Sequence, residues 1–393
     1  MLKHKEHLDR KKIWTINLTS FLLGFSDAVL LYVISSYFKL ASGMENVSGF
    51  YVLSYVALLL VLLNLHKLTK KLGNINIFFL ALFAKIIIIA VLAGTQPGSL
   101  GVFLLMLYVL FAGMEWVSLD ALLENFSRDR ESGRIRGKHL TILNAGFLLG
   151  PFLSTRLLEY FGFSGIFFFL LALNMVIFIV DLVKLRAANS VFKRDISVFR
   201  LIKKVLKRKN VLAIYYIAVV LDFFYALMVI YTPIYLIDLG LGWDKVGIIF
   251  TIMLLPFVLL QYPMGILADK KTGEKKLLLW ALLIMSFFTL VFYFTRSQNI
   301  LIWSVVLFGT RVGASMLEVL RDSYFYKRID GEDMDLIDFF RTAMPVGYIL
   351  AALASLVILL FLPLKWVFVL LALVILSALI PALRLTEIRP VKK

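Results

Sequence analysis

The feature that most constrains this chain is a series of long apolar runs separated by short polar loops. Twelve runs each have about 20 residues or more, the length that a helix needs to cross the roughly 30 Å hydrocarbon core of a membrane. The chain is 61% hydrophobic and only 17% charged, so it lacks the polar residues that would cover a soluble protein of this size. We therefore predict an all-α integral membrane protein with twelve transmembrane helices.

The boundaries of the runs give the predicted spans. They cover residues 13–38, 47–66, 74–94, 99–124, 138–158, 164–185, 211–237, 244–267, 276–295, 299–322, 335–359 and 364–383. Merging the fifth and sixth spans would leave eleven, but residues 160–165 (YFGFSG) have the glycine content of a turn.

Lysine and arginine set the predicted orientation. Most of the 42 Lys and Arg lie in the tails and in alternate loops, and the opposite loops hold Lys39, Lys245, Arg296 and Lys365. Because basic loops stay in the cytoplasm, both termini are predicted to be cytoplasmic, in a plasma or inner membrane. The same distribution accounts for the net charge of +17, so no nucleic-acid partner is expected.

The longest connection between spans divides the chain into two predicted domains, 1–185 and 211–393. Apolar and basic residues alternate along 190–209 as in an amphipathic helix. Such a helix lies on the anionic inner leaflet, so 186–210 is predicted to be a cytoplasmic linker. A lipid-regulated or calmodulin-like switch is the alternative interpretation of this segment.

A basic loop, residues 265–277 (GILADKKTGEKKL), joins the eighth and ninth spans. Residues 64–74 (NLHKLTKKLGN) join the second and third spans, and Gly73 precedes Gly273 by 200 residues. The G-x-x-x-D-K-x-x-G-x-K-K order resembles the loop motif of the major facilitator superfamily of secondary transporters. The earlier copy has Thr69 and lysines where the motif has a carboxylate, so only Asp269 matches that position.

A second resemblance lies in the fifth span. Gly146, Gly150 and Pro151 (GFLLGP) are similar to the g-x-x-x-G-P-x-x-G-G pattern of the proton-coupled antiporters of that superfamily, although Ser154 and Thr155 replace the last glycines. Close helix packing through small residues explains the same letters. The two resemblances imply two pseudo-symmetric six-helix bundles that work by alternating access on an ion gradient, without a cofactor.

Four charged residues lie deep inside their spans, namely Asp27, Glu115, Asp222 and Arg311. A charge at the bilayer centre costs about 2.5 to 3.5 kcal/mol, so these residues are candidates for substrate or proton binding. The resemblance places their four spans around a central cavity, with Tyr225 on the face of Asp222. A static ion pair of Arg311 with Glu115 or Asp222 is the alternative, but three acids against one base leave at least one carboxylate unpaired. Burial favours the neutral form of an unpaired carboxylate, which suits a proton carrier.

Other charges near or within the spans are predicted to be structural. Lys85 lies in the third span, which is peripheral in the related fold, so packing against Glu115 or snorkelling to the interface is favoured over substrate contact. Asp181 and Arg156 lie nearer the span ends, where the interface is close.

A further set of charges lies at the predicted cytoplasmic ends and resembles the inner gate of the superfamily. Weak ion pairs at a wet interface, worth about 0 to 1 kcal/mol each, suit a gate that must open. Ordinary ties between adjacent helices are the alternative role. The predicted gate consists of Asp120, Glu124, Arg136, Asp269, Glu318, Asp322 and Arg341.

The sequence favours a transporter over an enzyme. It has no cysteine, no H-x-x-x-H or G-x-S-x-G pattern and no phosphate-binding glycine loop. We predict proton-coupled export of a small amphipathic or cationic compound by a monomer in the lipid bilayer, with no metal. Proton-coupled uptake of a sugar, nucleoside or peptide is the first alternative, and a non-transporting receptor or scaffold of the same fold is the second.

Overall fold

The structure is a computed structural model, and it describes residues 10–126, 132–185, 198–329 and 334–387. The chain divides into two compact units. Unit 1 comprises Met1–Gly43 and Leu60–Asp195, and unit 2 comprises Met44–Leu59 and Ile196–Lys393. The division between Asp195 and Ile196 falls inside the range 186–210. No strand is found in the described ranges, which agrees with the predicted all-α class.

Six helices of the described part of the chain precede this division. They are α1 Arg10–Leu31, α2 Ile34–Ser42, α3 Ser48–Leu72, α4 Asn74–Gly94, α5 Ser99–Phe126 and α6 Ser132–Lys184. Ten more follow it, with a π-helical turn at Ala268–Thr272. They are α7 Val198–Lys207, α8 Lys209–Asp238, α9 Trp243–Leu259, α10 Gln261–Leu267, α11 Glu274–Phe294, α12 Ile300–Tyr326, α13 Met334–Arg341, α14 Ala343–Ile358, α15 Trp366–Ser377 and α16 Leu379–Arg384.

Eleven helical segments of the described chain are long and apolar enough to cross a membrane. One of them, α6, has 53 residues and is interrupted at Gly162, whose φ of 64° and ψ of −164° are not helical. A helix of that length would extend about 80 Å, more than twice the thickness of the hydrocarbon core. The interruption at Gly162 therefore separates two crossings, which brings the number of crossings to the predicted twelve.

The helix bounds follow the predicted spans to within a few residues at most ends. The span 74–94 coincides with α4, and the basic stretch after the first half of the chain forms α7. Four predicted spans contain a break that the hydrophobicity pattern does not show. The first consists of α1 and α2, the eighth of α9 and α10, the eleventh of α13 and α14, and the twelfth of α15 and α16.

Glycine allows the same pair of crossings to pack closely in each unit. In unit 1 a Cβ on Gly146 or Gly150 of α6 would collide with the α1 backbone at Phe21 or Ala28. In unit 2 a Cβ on Gly347 of α14 would lie 2.8 Å from the Val219 oxygen of α8. The packing role of Gly146 and Gly150 is the structural alternative to the antiporter motif, and it brings α1 and α6 into contact.

The internal repeat is visible in the backbone at the two basic loops. Gly73 precedes α4 with φ 81° and ψ 155°, and Gly273 precedes α11 with φ 75° and ψ 158°. Positive φ favours glycine, because a side chain would clash with the backbone. Two glycines 200 residues apart therefore start equivalent helices in the two units with the same turn.

Candidate functional site: buried ion clusters in each unit

Unit 1 contains three charged side chains in direct contact near the middle of its helices. The Lys85 ammonium, from α4, donates to Asp27 Oδ1 at 3.0 Å and to Glu115 Oε2 at 2.6 Å. Asp27 lies on α1 and Glu115 lies on α5, so one residue from each of three helices forms what we call the unit 1 ion cluster. A predicted packing contact between Lys85 and Glu115 is present, but Lys85 also binds Asp27, which makes it central and not peripheral.

Aromatic side chains of α5 complete the coordination of Asp27. The Tyr108 hydroxyl donates to Oδ1 at 2.8 Å, and the Trp116 indole nitrogen donates to Oδ2 at 2.7 Å. The Lys85 ammonium lies 5.1 Å from the centre of the Tyr108 ring, within the range of a cation–π contact. Both oxygens of Asp27 are therefore hydrogen-bonded, and its carboxylate is held in a fixed orientation.

The unit 1 ion cluster has one more acid than base. The side chains of Lys85 and Glu115 are fully buried, and that of Asp27 is 11% exposed. The second oxygen of Glu115, Oε1, accepts no hydrogen bond from any described residue. When all three groups are ionised the net charge is negative, and one proton makes the cluster neutral.

Unit 2 pairs its buried acid with a cation that is absent from the residues singled out in the sequence. Arg321 of α12 donates from Nη1 to Asp222 Oδ2 at 3.1 Å and to the Ala218 oxygen at 3.2 Å, both on α8. Its Nε lies 3.5 Å from Asp322 Oδ1. We call Asp222, Arg321 and Asp322 the unit 2 ion cluster.

The count of three buried acids against one buried base, expected from the sequence, therefore omits two cations. They are Lys85 and Arg321, and the sequence does contain a signal for Arg321. A buried acid such as Asp222 calls for a cation on a neighbouring helix, and the long arginine side chain can reach it from near the end of α12.

The other predicted binding residues of unit 2 surround this cluster. The Arg311 guanidinium is buried and lies 4.9 Å from the centre of the Phe224 ring. The Tyr225 hydroxyl has no hydrogen-bond partner among the described residues, and its electrostatic neighbours include Glu318, Arg321 and Arg311.

One of the predicted gate residues lies elsewhere than expected. Glu318 accepts a hydrogen bond from the Gln261 amide at 2.7 Å, eight residues before the end of α12. It lies inside the helix, about 12 Å from that end, and not at its mouth. Arg341 is the last residue of α13 and lies in the first turn of the eleventh candidate crossing, Phe339–Ile358.

The loop acid Asp269 does take part in an ion pair at the end of its unit. Lys327 Nζ lies 2.5 Å from Asp269 Oδ1 and 2.5 Å from Glu274 Oε1. Partial burial by itself would lower the pKa of Lys327, but the hydrogen bonds to Asp269 and Glu274 outweigh it and hold that pKa above its ordinary value. Glu274 also accepts from the Ser323 hydroxyl at 2.9 Å, so three segments meet here.

The remaining predicted gate residues lie on α5 and α6. Asp120 is half-buried on α5, five residues after Glu115. The side chains of Glu124 and Arg136 lie outside the described part of the chain. The role of these residues as a gate stays a prediction. Within the described ranges no group of His, Cys, Asp and Glu is arranged to hold a metal ion.

Comparison with known proteins identifies the family. The model of the Major Facilitator Superfamily matches residues 97–316 and 242–393, which together span more than half of the chain. No curated protein sequence matches significantly. Among solved structures, a mutant of the nucleoside transporter NupG matches with a TM-score of 0.73 at 13% identity, covering 95% of this chain and 99% of that one. The fold is therefore shared with that transporter, and the chain belongs to the Major Facilitator Superfamily of membrane transporters.

Proposed function

We propose that this protein is a proton-coupled secondary transporter that exports a small amphipathic or cationic compound. The observation that carries the proposal is the unit 1 ion cluster, in which two carboxylates share one ammonium. A net charge in the membrane interior is costly. Such a cluster gains stability by binding either a proton or a cationic group, and mutually exclusive binding of the two is the basis of exchange.

The three members of the cluster have different access to their surroundings. Asp27 is the partly exposed carboxylate, and the partly buried Trp116 beside it offers an aromatic surface that suits an amphipathic cation. Glu115 is enclosed and has an oxygen without a partner. We assign substrate contact to Asp27 and proton binding to Glu115, with Lys85 keeping both carboxylates in place.

The mechanism in this proposal is alternating access between two six-helix bundles, 1–185 and 211–393, joined by the linker 186–210. Both termini face the cytoplasm of a plasma or inner membrane, and the functional unit is a monomer. The lysine and arginine distribution supports the orientation. The antiporter-like pattern of Gly146, Gly150 and Pro151 supports export, since that pattern also occurs in the exporters of the superfamily.

Uptake of a nucleoside is a second candidate, because the fold is similar to that of a nucleoside transporter. The structural likeness concerns the fold alone, and the charged cluster of unit 1 supports a cationic cargo more directly. The two candidates differ in the sign of coupling, since uptake moves the proton and the solute in the same direction.

Reconstitution into liposomes with an imposed pH gradient tests the proposal. We expect gradient-dependent movement of lipophilic cations against the proton, and little movement of nucleosides or sugars. Glu115→Gln should abolish the response to the gradient, and Asp27→Asn should abolish transport altogether. Arg156→Gln is the matched control, because it removes a charge from an exposed ion pair with Glu159 and should leave transport unchanged.

If nucleosides moved in the same direction as the proton, nucleoside uptake, the second candidate, would replace export as the proposed function. Transport that is insensitive to the pH gradient in the wild type, or gradient-driven transport in Glu115→Gln equal to the wild type, would refute proton coupling through this cluster. If all charge-neutralised variants gained stability and no solute moved, the receptor or scaffold interpretation would take its place.

A further inference from the structure

Unit 1 has another fully buried carboxylate, Asp181, which lies on α6 outside the ion cluster. Its Oδ1 accepts a hydrogen bond of 2.5 Å from the Thr19 hydroxyl of α1, and its Oδ2 accepts none from the described residues. The position of Asp181 near a span end predicts contact with the membrane interface, and its complete burial contradicts this. A buried carboxylate with only part of its hydrogen bonds is costly and calls for an explanation.

A layer of leucines separates Asp181 from the ion cluster. Each charged residue of the cluster has a leucine one helical turn away on its predicted cytoplasmic side. The pairs are Asp27 with Leu23, Lys85 with Leu82, and Glu115 with Leu119. The three leucines are at most 1% exposed and pack in one apolar core with Ile177 of α6. Ile177 in turn lies one turn before Asp181, so the leucine layer stands between the two acidic positions.

One polar side chain lies within this apolar layer. Ser118 precedes Leu119 on α5, is 1% exposed and has no hydrogen-bond partner among the described residues. Because residues three apart share a helix face, Ser118 lies beside Glu115 on the side that leads to the leucine layer. Glu115 Oε1, Ser118 Oγ and Asp181 Oδ2 are therefore three buried oxygens of unit 1 that have no hydrogen-bond partner among the described residues.

Groups from four helices act on or surround Asp181. Glu115 interacts with it electrostatically from α5, and Lys184 does so from the end of α6. From α1 the neighbour is the Thr19 hydroxyl, and α4 contributes apolar side chains such as Phe78 to the surrounding core. Lys184 is the last residue of α6, so Asp181 lies one turn from the predicted cytoplasmic end.

We propose that Ser118 and Asp181 form a proton relay between Glu115 and the cytoplasm. This inference rests on the proposed proton coupling. Glu115 releases its proton from Oε1 to the Ser118 hydroxyl, which passes its own proton to Asp181 Oδ2, directly or through a bridging water. Glu115 is then a carboxylate facing Lys85, and Asp181 is neutral until it releases the proton towards the cytoplasm.

Infrared spectroscopy of the full chain in lipid nanodiscs tests the relay. The band of the protonated Glu115 carboxyl is the one that Glu115→Gln removes, and transfer to D2O gives its exchange rate. Asp181→Asn and Ser118→Ala should each slow this exchange about a hundredfold or more, the low end of what one proton-transfer group contributes. Asn174→Ala is the matched control, since Asn174 lies two turns before Asp181 and joins α6 to α1 by a 2.8 Å hydrogen bond to Ser26.

An exchange rate in Asp181→Asn and Ser118→Ala equal to that of the wild type would overturn the relay. The same holds if Asn174→Ala slows exchange as strongly, because the cause would then be altered packing of α1 and α6. A wild-type spectrum without a Glu115 band would also overturn it. If Asp181→Asn does not fold, Ser118→Ala decides. Proton-driven transport by Glu115→Gln tests the proposed function separately, and its outcome does not depend on the exchange rates of the relay variants.

Discussion

The two units bury charge differently on equivalent helices. In unit 1 the cation comes from α4 and is completely enclosed between two carboxylates. In unit 2 the position 200 residues after Lys85 is Met285, which packs against Gly313 of α12, and the cation Arg321 comes from α12 instead. Its side chain is 13% exposed, whereas that of Lys85 is fully buried.

The two units share the packing of their helices but not the arrangement of their buried charges. Glycines of α6 and α14 bring these helices close to α1 and α8 in the same way, and Gly73 and Gly273 begin equivalent helices. Helix packing is therefore what the fold requires in each half. The placement of the cation differs between the halves, since it lies on α4 in unit 1 and on α12 in unit 2.

The largest expected difference between the units concerns loss of the cation. Lys85→Met leaves the enclosed Glu115 and the 11% exposed Asp27 without an ammonium and should lower the free energy of unfolding by about 3 to 5 kcal/mol. Arg321→Met should cost less, about 1 to 3 kcal/mol, because the Asp322 side chain is 22% exposed and the cation that is removed is itself partly exposed. Denaturation of the purified protein in detergent compares the two, and an equal loss would contradict the distinction between a buried and a partly exposed cation.

Helix packing, in contrast, should respond alike in both units. A Cβ on Gly150 would lie 2.6 Å from the Ala28 carbonyl carbon, and one on Gly347 would lie 2.7 Å from Asp222 Cβ. Gly150→Ala and Gly347→Ala should each cost about 1 to 3 kcal/mol of unfolding free energy. Gly49→Ala is the control, since nothing lies within 4 Å of its Cβ position. A cost confined to one unit would show that the packing is not equivalent.

Removal of one carboxylate should change the free energy of unfolding differently in the two clusters. Glu115→Gln leaves Lys85 paired with Asp27 in a neutral cluster, so the free energy of unfolding should stay unchanged or rise by up to about 1 kcal/mol. Asp222→Asn removes the main acid of Arg321 and should lower it by about 1 kcal/mol or more. Thermal unfolding at neutral pH measures both, and a loss of stability in Glu115→Gln would show that its charge is structural.

The smallest effect is expected at Lys327, whose ion pairs lie at the end of unit 2. Because the pKa of Lys327 is raised in the folded state, its stabilising contribution is complete below the ordinary lysine value of 10.5 and is lost as the pH rises through the raised value. Its side chain is 36% exposed, so Lys327→Met should cost at most about 1 kcal/mol. Unfolding measured from neutral to alkaline pH should show a loss in the wild type that is smaller in the variant.

Much of this molecule was predictable because the bilayer imposes simple rules on a sequence. Apolar runs of fixed length predict where helices cross, and basic residues predict which loops share a side. Deep charges stand out against apolar surroundings, so Asp27, Glu115 and Asp222 were identifiable as candidates for a buried site. The turn at Gly162 was also predictable, since glycine interrupts an apolar stretch too long for one crossing.

Only the tertiary structure decided which charges meet. Lys85 and Arg321 reach their carboxylates through long side chains from other helices, and sequence spacing along one helix does not encode the distance between helices. The burial of Asp181 likewise follows from its contact with Thr19, 162 residues earlier in the chain. The sequence by itself determined the membrane fold and its family, because these depend on local composition and spacing, whereas the pairing of buried charges depends on which helix faces turn towards one another.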